Sequence, residues 1–311
     1  MQLAKYQTGV TGVAMAIIIA VAGVCASGCR KTQGTATAIG GLQIVAAENF
    51  WGSLVSQLAG PHAQVMSIVT DPNADPHEYS TSVATARAVA TADYVVLNGA
   101  GYDTWCEKLL GADANPHRKA LNVADLLGQK AGGNPHFWYN PDYVNQVAAQ
   151  MEHDLISIDP KNADDYRRQY QTLQASLVQY QNRIQAILRQ FKGKKVAATE
   201  DIFVYLGKAA GLDVISPPAF MEAVAEGIDP PVQSVIEFQN QIKSKQPAVL
   251  VYNEQTVTPL TEGMKKMAAQ EGIPIVGITE TIQPPDASFE NWMDAEIAAL
   301  QKALQSRAPG K

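Results

Sequence analysis

Four side chains of types that bind transition metals follow apolar, strand-like runs in this 311-residue chain, two in each half. They are His77, His136, Glu200 and Glu280. Imidazole nitrogens and carboxylate oxygens are donors that proteins offer to first-row divalent cations. Because ligands of open parallel sheets bind beyond the carboxyl ends of the strands, this pattern predicts a single divalent metal ion held between two lobes.

The residues around each candidate ligand favour that placement. The two glutamates directly follow the runs 195–199 and 273–279, and a proline, Pro76 or Pro135, precedes each of the two histidines in its loop. Proline restrains the backbone, so the histidine beside it has less conformational entropy to lose on binding. An alternative stays open, because three neighbouring acids also lie close to strand ends and could replace one glutamate; they are Glu48, Asp201 and Glu254.

The three other histidines are assigned no metal role. His62 lies in a Gly-Pro-His turn, His117 in a polar loop and His153 on a helical stretch. A lone histidine is more often a surface or satisfied core residue than a metal ligand.

The elements that must position these ligands alternate between short β-type runs and helical stretches, which is typical of parallel sheets covered by helices. Each half contributes four such runs: 42–46, 64–69, 94–97 and 120–123, then 195–198, 214–215, 248–252 and 273–278. The predicted fold class is α/β, with two lobes that each contain a mostly parallel four-stranded sheet flanked by helices.

A single long helix is predicted between the two halves. Its apolar residues recur at alternating steps of four and three, at Tyr166, Tyr170, Leu173, Leu177, Tyr180, Ile184, Ile187 and Phe191. A helix of about 30 residues would be roughly 45 Å long. We expect it to lie on both cores as a stiff connector that permits small rocking of the lobes rather than wide hinge opening.

The chain begins with an export segment. Lys5 is followed by an apolar run over residues 13–22, which is shorter than the ~20 residues that a membrane-spanning helix needs. The run 26–29, Ala-Ser-Gly-Cys, resembles the lipobox of bacterial lipoproteins and predicts a lipid on Cys29, although Ala26 stands where Leu is more usual. A plain signal peptide cleaved nearby is the alternative.

The sequence therefore divides into five parts. They are a signal peptide (1–28), the lipidated Cys29 with a polar, flexible tether (29–41), an N-terminal α/β lobe (42–160), the connecting helix (161–191) and a C-terminal α/β lobe (192–311). If Cys25 leaves with the signal peptide and Cys29 carries lipid, Cys106 is the one thiol left, and we expect it to be a small buried hydrophobic residue on a helix.

Composition and motifs exclude several function classes. A formal net charge of −6 argues against a nucleic-acid partner, which needs a clustered basic surface. A metallohydrolase is disfavoured, because the chain has neither a His-Glu-Xaa-Xaa-His helix nor a Gly-Xaa-Ser-Xaa-Gly turn, and four protein ligands leave little room for a reactive water. We therefore expect a binding protein rather than an enzyme.

Several segments resemble the zinc- and manganese-binding solute-binding proteins of bacterial ATP-binding-cassette (ABC) importers. They are Asp75-Pro-His-Glu-Tyr79, the stretch 92–105 with its Asn-Gly-Ala-Gly run, Asn134-Pro-His-Phe-Trp138, the stretch 199–206 and Thr279-Glu-Thr281. The resemblance implies a two-lobed fold with one connecting helix, one divalent metal and no catalysis. It places the ligands in the order His77, His136, Glu200 and Glu280.

The chain departs from that family at informative positions. Many members have Asp where this chain has Asn134, so a carboxylate expected behind the second histidine must be missing or come from elsewhere. The third ligand is His in some members, and the fourth is more usually Asp. Two imidazoles and two carboxylates make an oxygen-rich site, which slightly favours manganese over zinc, although zinc stands above manganese in intrinsic affinity.

The expected function is capture of a manganese or zinc ion outside the cytoplasmic membrane and its delivery to an ABC transporter permease, with the protein anchored to the membrane by lipid. Affinity should fall as pH drops through about 6.5, the ordinary histidine pKa. The alternatives are a related solute-binding protein for haem, a siderophore or cobalamin, and an adhesin-type surface lipoprotein.

Overall fold

The computed structural model of this chain describes residues 41–71 and 79–306. The candidate ligand His77 and the predicted lipid-bearing Cys29 lie outside the described residues, as do the export segment and most of the tether. Among the described helices, none is both long enough and apolar enough to cross a membrane.

The first lobe is built on a four-stranded parallel sheet. Its strands are β1 (Leu42–Glu48), β2 (Ala63–Val69), β3 (Tyr94–Leu97) and β4 (Lys119–Asn122), in the order β2-β1-β3-β4. Its helices are α1 (Asn49–Ala59), α2 (Val83–Thr91), α3 (Thr104–Ala112), α4 (Val123–Leu126) and α5 (Pro141–Ile158). Asn140 accepts a hydrogen bond at the start of α5, and Pro141 occupies the first turn, where no backbone donor is needed.

The second lobe repeats the arrangement with shorter strands. They are β5 (Lys195–Ala198), β6 (Asp213–Val214), β7 (Leu250–Asn253) and β8 (Ile275–Ile278), in the parallel order β6-β5-β7-β8. The flanking helices are α7 (Val204–Ala209), α8 (Pro218–Ala225), α9 (Val232–Lys243), α10 (Pro259–Gln270) and α11 (Phe289–Ser306). Two parallel four-stranded sheets covered by helices confirm the predicted fold class.

A 29-residue helix, α6 (Ala163–Phe191), joins the lobes and is about 44 Å long. Of the eight apolar positions expected to face the cores, six are buried and two, Tyr170 and Phe191, are half-buried. The helix packs on α1 and α5 of the first lobe and on α11 of the second. It therefore lies on both cores, as its periodicity predicts.

One hydrophobic cluster runs from the first sheet through α6 into the second lobe. Ile44, Trp138, Leu177, Val196 and Trp292 are among its fully buried members. A smaller cluster on the other face of the first sheet contains Cys106, which is buried on α3 as expected.

Candidate metal centre

Three of the four predicted ligands meet at one point between the lobes. His136, Glu200 and Glu280 each offer a ligand atom, and these atoms lie within 4.8 Å of one another. All three side chains are at least 99% buried. They form the one group of three or more His, Cys, Asp or Glu side chains with metal-binding spacing in the part of the chain that the structure describes.

Each ligand follows the carboxyl end of a strand or opens a helical turn. Glu200 comes two residues after β5, Glu280 comes two residues after β8, and His136 precedes a short 3₁₀ turn (Phe137–Tyr139) that leads into α5. His136 belongs to the first lobe and the glutamates belong to the second. The donor set therefore bridges the cleft.

Asn253 holds the two glutamates in place. It is the last residue of β7, which lies between β5 and β8 in the sheet. Its Nδ2 donates to Glu200 Oε2 at 3.0 Å and to Glu280 Oε1 at 2.6 Å. Sequence reasoning missed this residue, although an amide at the end of the strand between the two ligand-bearing strands is a signal that could have found it.

Glu280 receives two further supports. Tyr102, from the loop after β3 in the first lobe, donates its hydroxyl to Glu280 Oε2 at 2.7 Å. Gln255 Oε1 accepts hydrogen bonds from the backbone N–H groups of Glu280 and Thr281, at 2.7 and 2.9 Å. The hydroxyl of Tyr102 thus links the lobes directly at a candidate ligand.

The imidazole of His136 is held at its Nδ1 edge, and its Nε2 edge faces the converging ligands. Its Nε2 lies 3.9 Å from Glu200 Oε1, on the side of the converging ligands. Its Nδ1 lies 2.9 Å from Asn134 Oδ1 and 3.2 Å from Asp201 Oδ1. The ring of Trp138 stands nearly perpendicular to it, with centroids 5.2 Å apart, and forms an apolar wall.

The three acids kept open as alternative ligands lie elsewhere. Asp201 faces the Nδ1 edge of His136 rather than the converging atoms. Glu48 is buried beside Asp103, and burial followed by the charge of Asp103 raises the pKa of Glu48 well above its usual range. Glu254 accepts a hydrogen bond from the hydroxyl of Tyr252. None of the three belongs to the group of converging ligands.

The histidines that were assigned no metal role also lie outside that group. His62 Nε2 lies 2.7 Å from Asp165 Oδ2 of α6, and the side chain of His153 is 74% exposed. His117 is exposed in a loop.

Two buried carboxyl groups, those of Glu200 and Glu280, lie close together at this centre. Burial, and then the charge of Glu280, raise the pKa of Glu200, while His136 and Asn253 oppose the rise. Glu200 Oε1 is buried and accepts no hydrogen bond from any described residue. Burial disfavours the charged imidazole of His136, but Asp201, Glu280 and Glu200 together outweigh it and raise the pKa of His136. A buried carboxylate oxygen beside a second carboxylate is costly unless a cation or proton neutralises it.

A further, partly buried carboxyl group contacts Thr279, the residue before Glu280. Glu296 of α11 accepts hydrogen bonds from Thr279 N at 2.9 Å and Trp292 Nε1 at 2.9 Å, and its Oε2 lies 2.7 Å from the hydroxyl of Tyr139. Burial raises the pKa of Glu296 to about 8 against the effect of these hydrogen bonds.

A cavity of about 610 Å³ adjoins the centre. Tyr102, Asn134 and Asp201 form the part of its wall next to the candidate ligands, and Glu222 and Glu226 of the C-terminal lobe also line it. The cavity therefore reaches the side chains beside His136 Nδ1, whereas His136 itself is fully buried.

Two parallel sheets, one connecting helix and a buried His/Glu group that bridges the cleft define a two-lobed metal-binding protein. The chain belongs to the ZnuA family, described as zinc-uptake complex component A, periplasmic, which matches residues 44–303. That membership confirms the resemblance found in the sequence, and it confirms that the chain is a solute-binding component rather than an enzyme.

Named relatives cover most of the chain. It is 24% identical over 290 residues to the manganese-binding lipoprotein MntA of Halalkalibacterium halodurans, covering 91% of this chain and 94% of that protein. It is 25% identical to the iron ABC transporter substrate-binding lipoprotein MtsA of Streptococcus pyogenes serotype M1, with 88% of each chain covered.

Solved structures share the fold. The periplasmic zinc-binding protein TroA from Treponema pallidum superposes with a TM-score of 0.73 at 14% identity, over 87% of this chain and all of that one. The solute-binding protein FpvC of Pseudomonas aeruginosa, solved with Ni²⁺, gives a TM-score of 0.72 at 21% identity, over 87% of this chain and 99% of that one. At these identities the likeness establishes the fold alone.

Proposed function

We propose that this protein captures a divalent transition metal outside the cytoplasmic membrane, holds it in the cleft between its lobes and delivers it to an ABC permease. The convergence of His136, Glu200 and Glu280 from opposite lobes is the observation that carries the proposal. Ligands from both lobes make metal capture and lobe closure one event, because the cation stabilises the closed arrangement more than an open one.

His77 completes the proposed ligand set. In the sequence it comes eight residues after the end of β2, which pairs with β1 in the first sheet. The carboxyl ends of parallel strands lie at one edge of a sheet, and the other ligand loops follow strands in the same way. The proposed set is thus two imidazoles and two carboxylates.

That donor set slightly favours manganese, with zinc a close second. The names of the relatives support a first-row metal and differ on which one, since they specify manganese, iron and zinc. We also propose that the protein is exported and anchored through a lipid on Cys29. The lipobox-like run 26–29 supports this, and MntA and MtsA are both named lipoproteins.

Metal content and competition measurements test the proposal. Protein purified without chelator should contain one equivalent of a first-row metal, and His136→Ala should lower zinc and manganese affinity by more than a hundredfold, because it removes a buried ligand. His153→Ala removes an exposed histidine from α5 and serves as the matched control, with unchanged affinity. Equal affinities for the two variants, or an organic chromophore in place of the metal, would contradict the proposed function.

A further inference from the structure

We propose that Asp201 is a positioning residue, which supplies from the C-terminal lobe the carboxylate that orients the metal-binding imidazole of His136 in the N-terminal lobe. This inference rests on the proposed function and assigns a role to a side chain that the ligand set does not include.

The position of the proton on His136 follows from the groups around its Nδ1. Asn134 Nδ2 donates to the backbone carbonyl of Asp201 at 2.6 Å, and a carbonyl can only accept. The amide of Asn134 is thereby fixed with Oδ1 towards His136, where it accepts from the backbone N–H and lies 2.9 Å from Nδ1. The two side-chain oxygens at Nδ1 are therefore both acceptors, so Nδ1 carries the hydrogen.

That tautomer leaves the lone pair of His136 on Nε2. Nε2 is the nitrogen on the side of Glu200 Oε1, at 3.9 Å, among the converging ligand atoms. A metal-bound histidine commonly donates its other N–H to a carboxylate, which fixes the ring and makes the coordinating nitrogen a better donor. Asp201 Oδ1 is the ionisable oxygen beside this N–H, 3.2 Å from Nδ1, although the Nδ1–H hydrogen bond itself is made to Asn134 Oδ1.

Asn134 cannot supply the same effect alone. Its Oδ1 is a neutral amide oxygen that also accepts from the backbone N–H of His136. Hydrogen bonds to ionised acceptors are about twice as strong as those to neutral ones. The carboxylate that the sequence lacks at position 134 is thus provided across the cleft at position 201.

This arrangement places two consecutive residues of one lobe at the two nitrogen edges of a ring in the other. Glu200 lies at the Nε2 edge and Asp201 at the Nδ1 edge. The hydroxyl of Tyr205 donates to the carbonyl of Asn134 at 3.2 Å and holds the same cross-lobe contact. His136 is therefore set in its metal-binding orientation when the lobes are together.

A series of substitutions at position 201 separates the carboxylate from the shape of the side chain. Asp201→Asn keeps the shape and removes the charge, whereas Asp201→Glu keeps the charge and adds a methylene, for which the adjoining cavity has room. A positioning carboxylate predicts that zinc affinity falls in the order wild type, Glu, Asn, with the Asn variant weaker by roughly 10- to 100-fold. A residue that acts by shape alone predicts that Asn binds zinc better than Glu.

The resonance of the His136 Nδ1 proton in the zinc-loaded protein gives a second readout. A carboxylate acceptor moves this resonance downfield, so we expect an upfield shift in Asp201→Asn and a smaller shift in Asp201→Glu. Glu222→Gln is the charge-matched control, because it removes an exposed acid from the same cavity wall without contacting His136. It should leave the resonance unchanged and alter zinc affinity less than twofold.

The measurements on Asp201 and His136 variants separate the positioning role of Asp201 from the metal-capture function on which it rests. Wild-type zinc affinity in Asp201→Asn, an Asn variant stronger than the Glu variant, or an unmoved Nδ1 resonance each overturn the role of Asp201. If His136→Ala in turn binds zinc as wild type does, the proposed function fails as well. Loss of zinc in His136→Ala together with an unaffected Asp201→Asn overturns the positioning role and leaves the metal-capture function standing.

Discussion

Metal capture should release protons from this centre, and their number follows from the surroundings of two ligands. Burial, and then the charge of Glu280, raise the pKa of Glu200 above its usual value of 4.5. Asp201 and the two glutamates raise the pKa of His136 above 6.5 despite its burial. Both groups must lose their protons to coordinate a cation. In the metal-free protein they hold protons at pH values where free side chains have largely lost them.

The raised pKa values of Glu200 and His136 determine how metal affinity depends on pH. Because both pKa values are raised, protons compete with the cation as pH falls, and affinity decreases in that direction. One to two protons are released per cation near pH 6.5, so the apparent dissociation constant should change by about 10- to 100-fold per pH unit. The decrease should begin above pH 6.5, at a higher pH than an ordinary histidine alone would give.

Calorimetric titration of zinc at fixed pH, in buffers with different ionisation enthalpies, counts the released protons directly. Glu200→Gln removes one titrating carboxyl group and should lower the count by one, whereas Glu222→Gln should leave it unchanged. A heat of binding that is independent of the buffer at pH 6.5, together with an affinity that is flat between pH 5 and 8, would show that metal binding releases no protons from this centre.

Three further perturbations test the groups around the centre. Tyr102→Phe removes the hydroxyl that donates to Glu280 at 2.7 Å, and zinc affinity should drop by roughly 10- to 100-fold, since a hydrogen bond to a charged group contributes ~1.5–3 kcal/mol. Glu296→Gln mimics the protonated carboxyl group of Glu296, whose pKa is raised in the folded state. As pH rises from 4.5 to 8, the unfolding free energy of wild type should therefore fall relative to that of the variant, by up to ~1.4 kcal/mol per pH unit. Urea titrations of both proteins across this pH range measure the difference. Arg183→Ala breaks a two-pronged pair with Asp294 that is partly exposed and should cost about 0.5–1 kcal/mol of unfolding free energy.

Each of these has its own control. Tyr166→Phe removes a tyrosine hydroxyl that donates to the carboxylate of Asp159 at 2.8 Å, outside the group of converging ligands, and zinc affinity should stay at the wild-type value. The pH series for Glu296→Gln is compared with that for Glu290→Gln, an α11 acid that accepts from the side chain of Gln57 rather than from Thr279, and parallel curves for wild type and Glu296→Gln would contradict a raised pKa. Arg167→Ala, at an exposed pair on the same helix α6, should change stability less than Arg183→Ala.

The sequence predicted the fold closely because its patterns are local. All eight β-type runs overlap strands of the two sheets, and the steps of four and three between Tyr166 and Phe191 correspond to α6. The convergence of His136, Glu200 and Glu280 was also expected, since each lies just beyond a strand or in a loop that follows one. The assignment of His77 and Cys29 stays a prediction, because both lie outside the described residues.

The residues that support the ligands could not be predicted in the same way. Tyr102 meets Glu280 across 178 positions of sequence, and Asn134 meets Asp201 across 67. No periodicity encodes such contacts, because they depend on how two separately folded sheets face each other. Asp201 was noticed as an acid near a strand end, but its place at the Nδ1 edge of His136 depends on the closed cleft.

The shared core of the lobes has a mechanical consequence. Because the buried side chains of both sheets and of α6 form one continuous apolar cluster, a force that parts the lobes must shear close-packed atoms rather than bend a loop. A membrane partner that extracts the cargo would therefore meet high resistance to small displacements of the lobes. It would gain most by disturbing polar contacts between them, such as those of Tyr102 with Glu280 and of Tyr205 with Asn134.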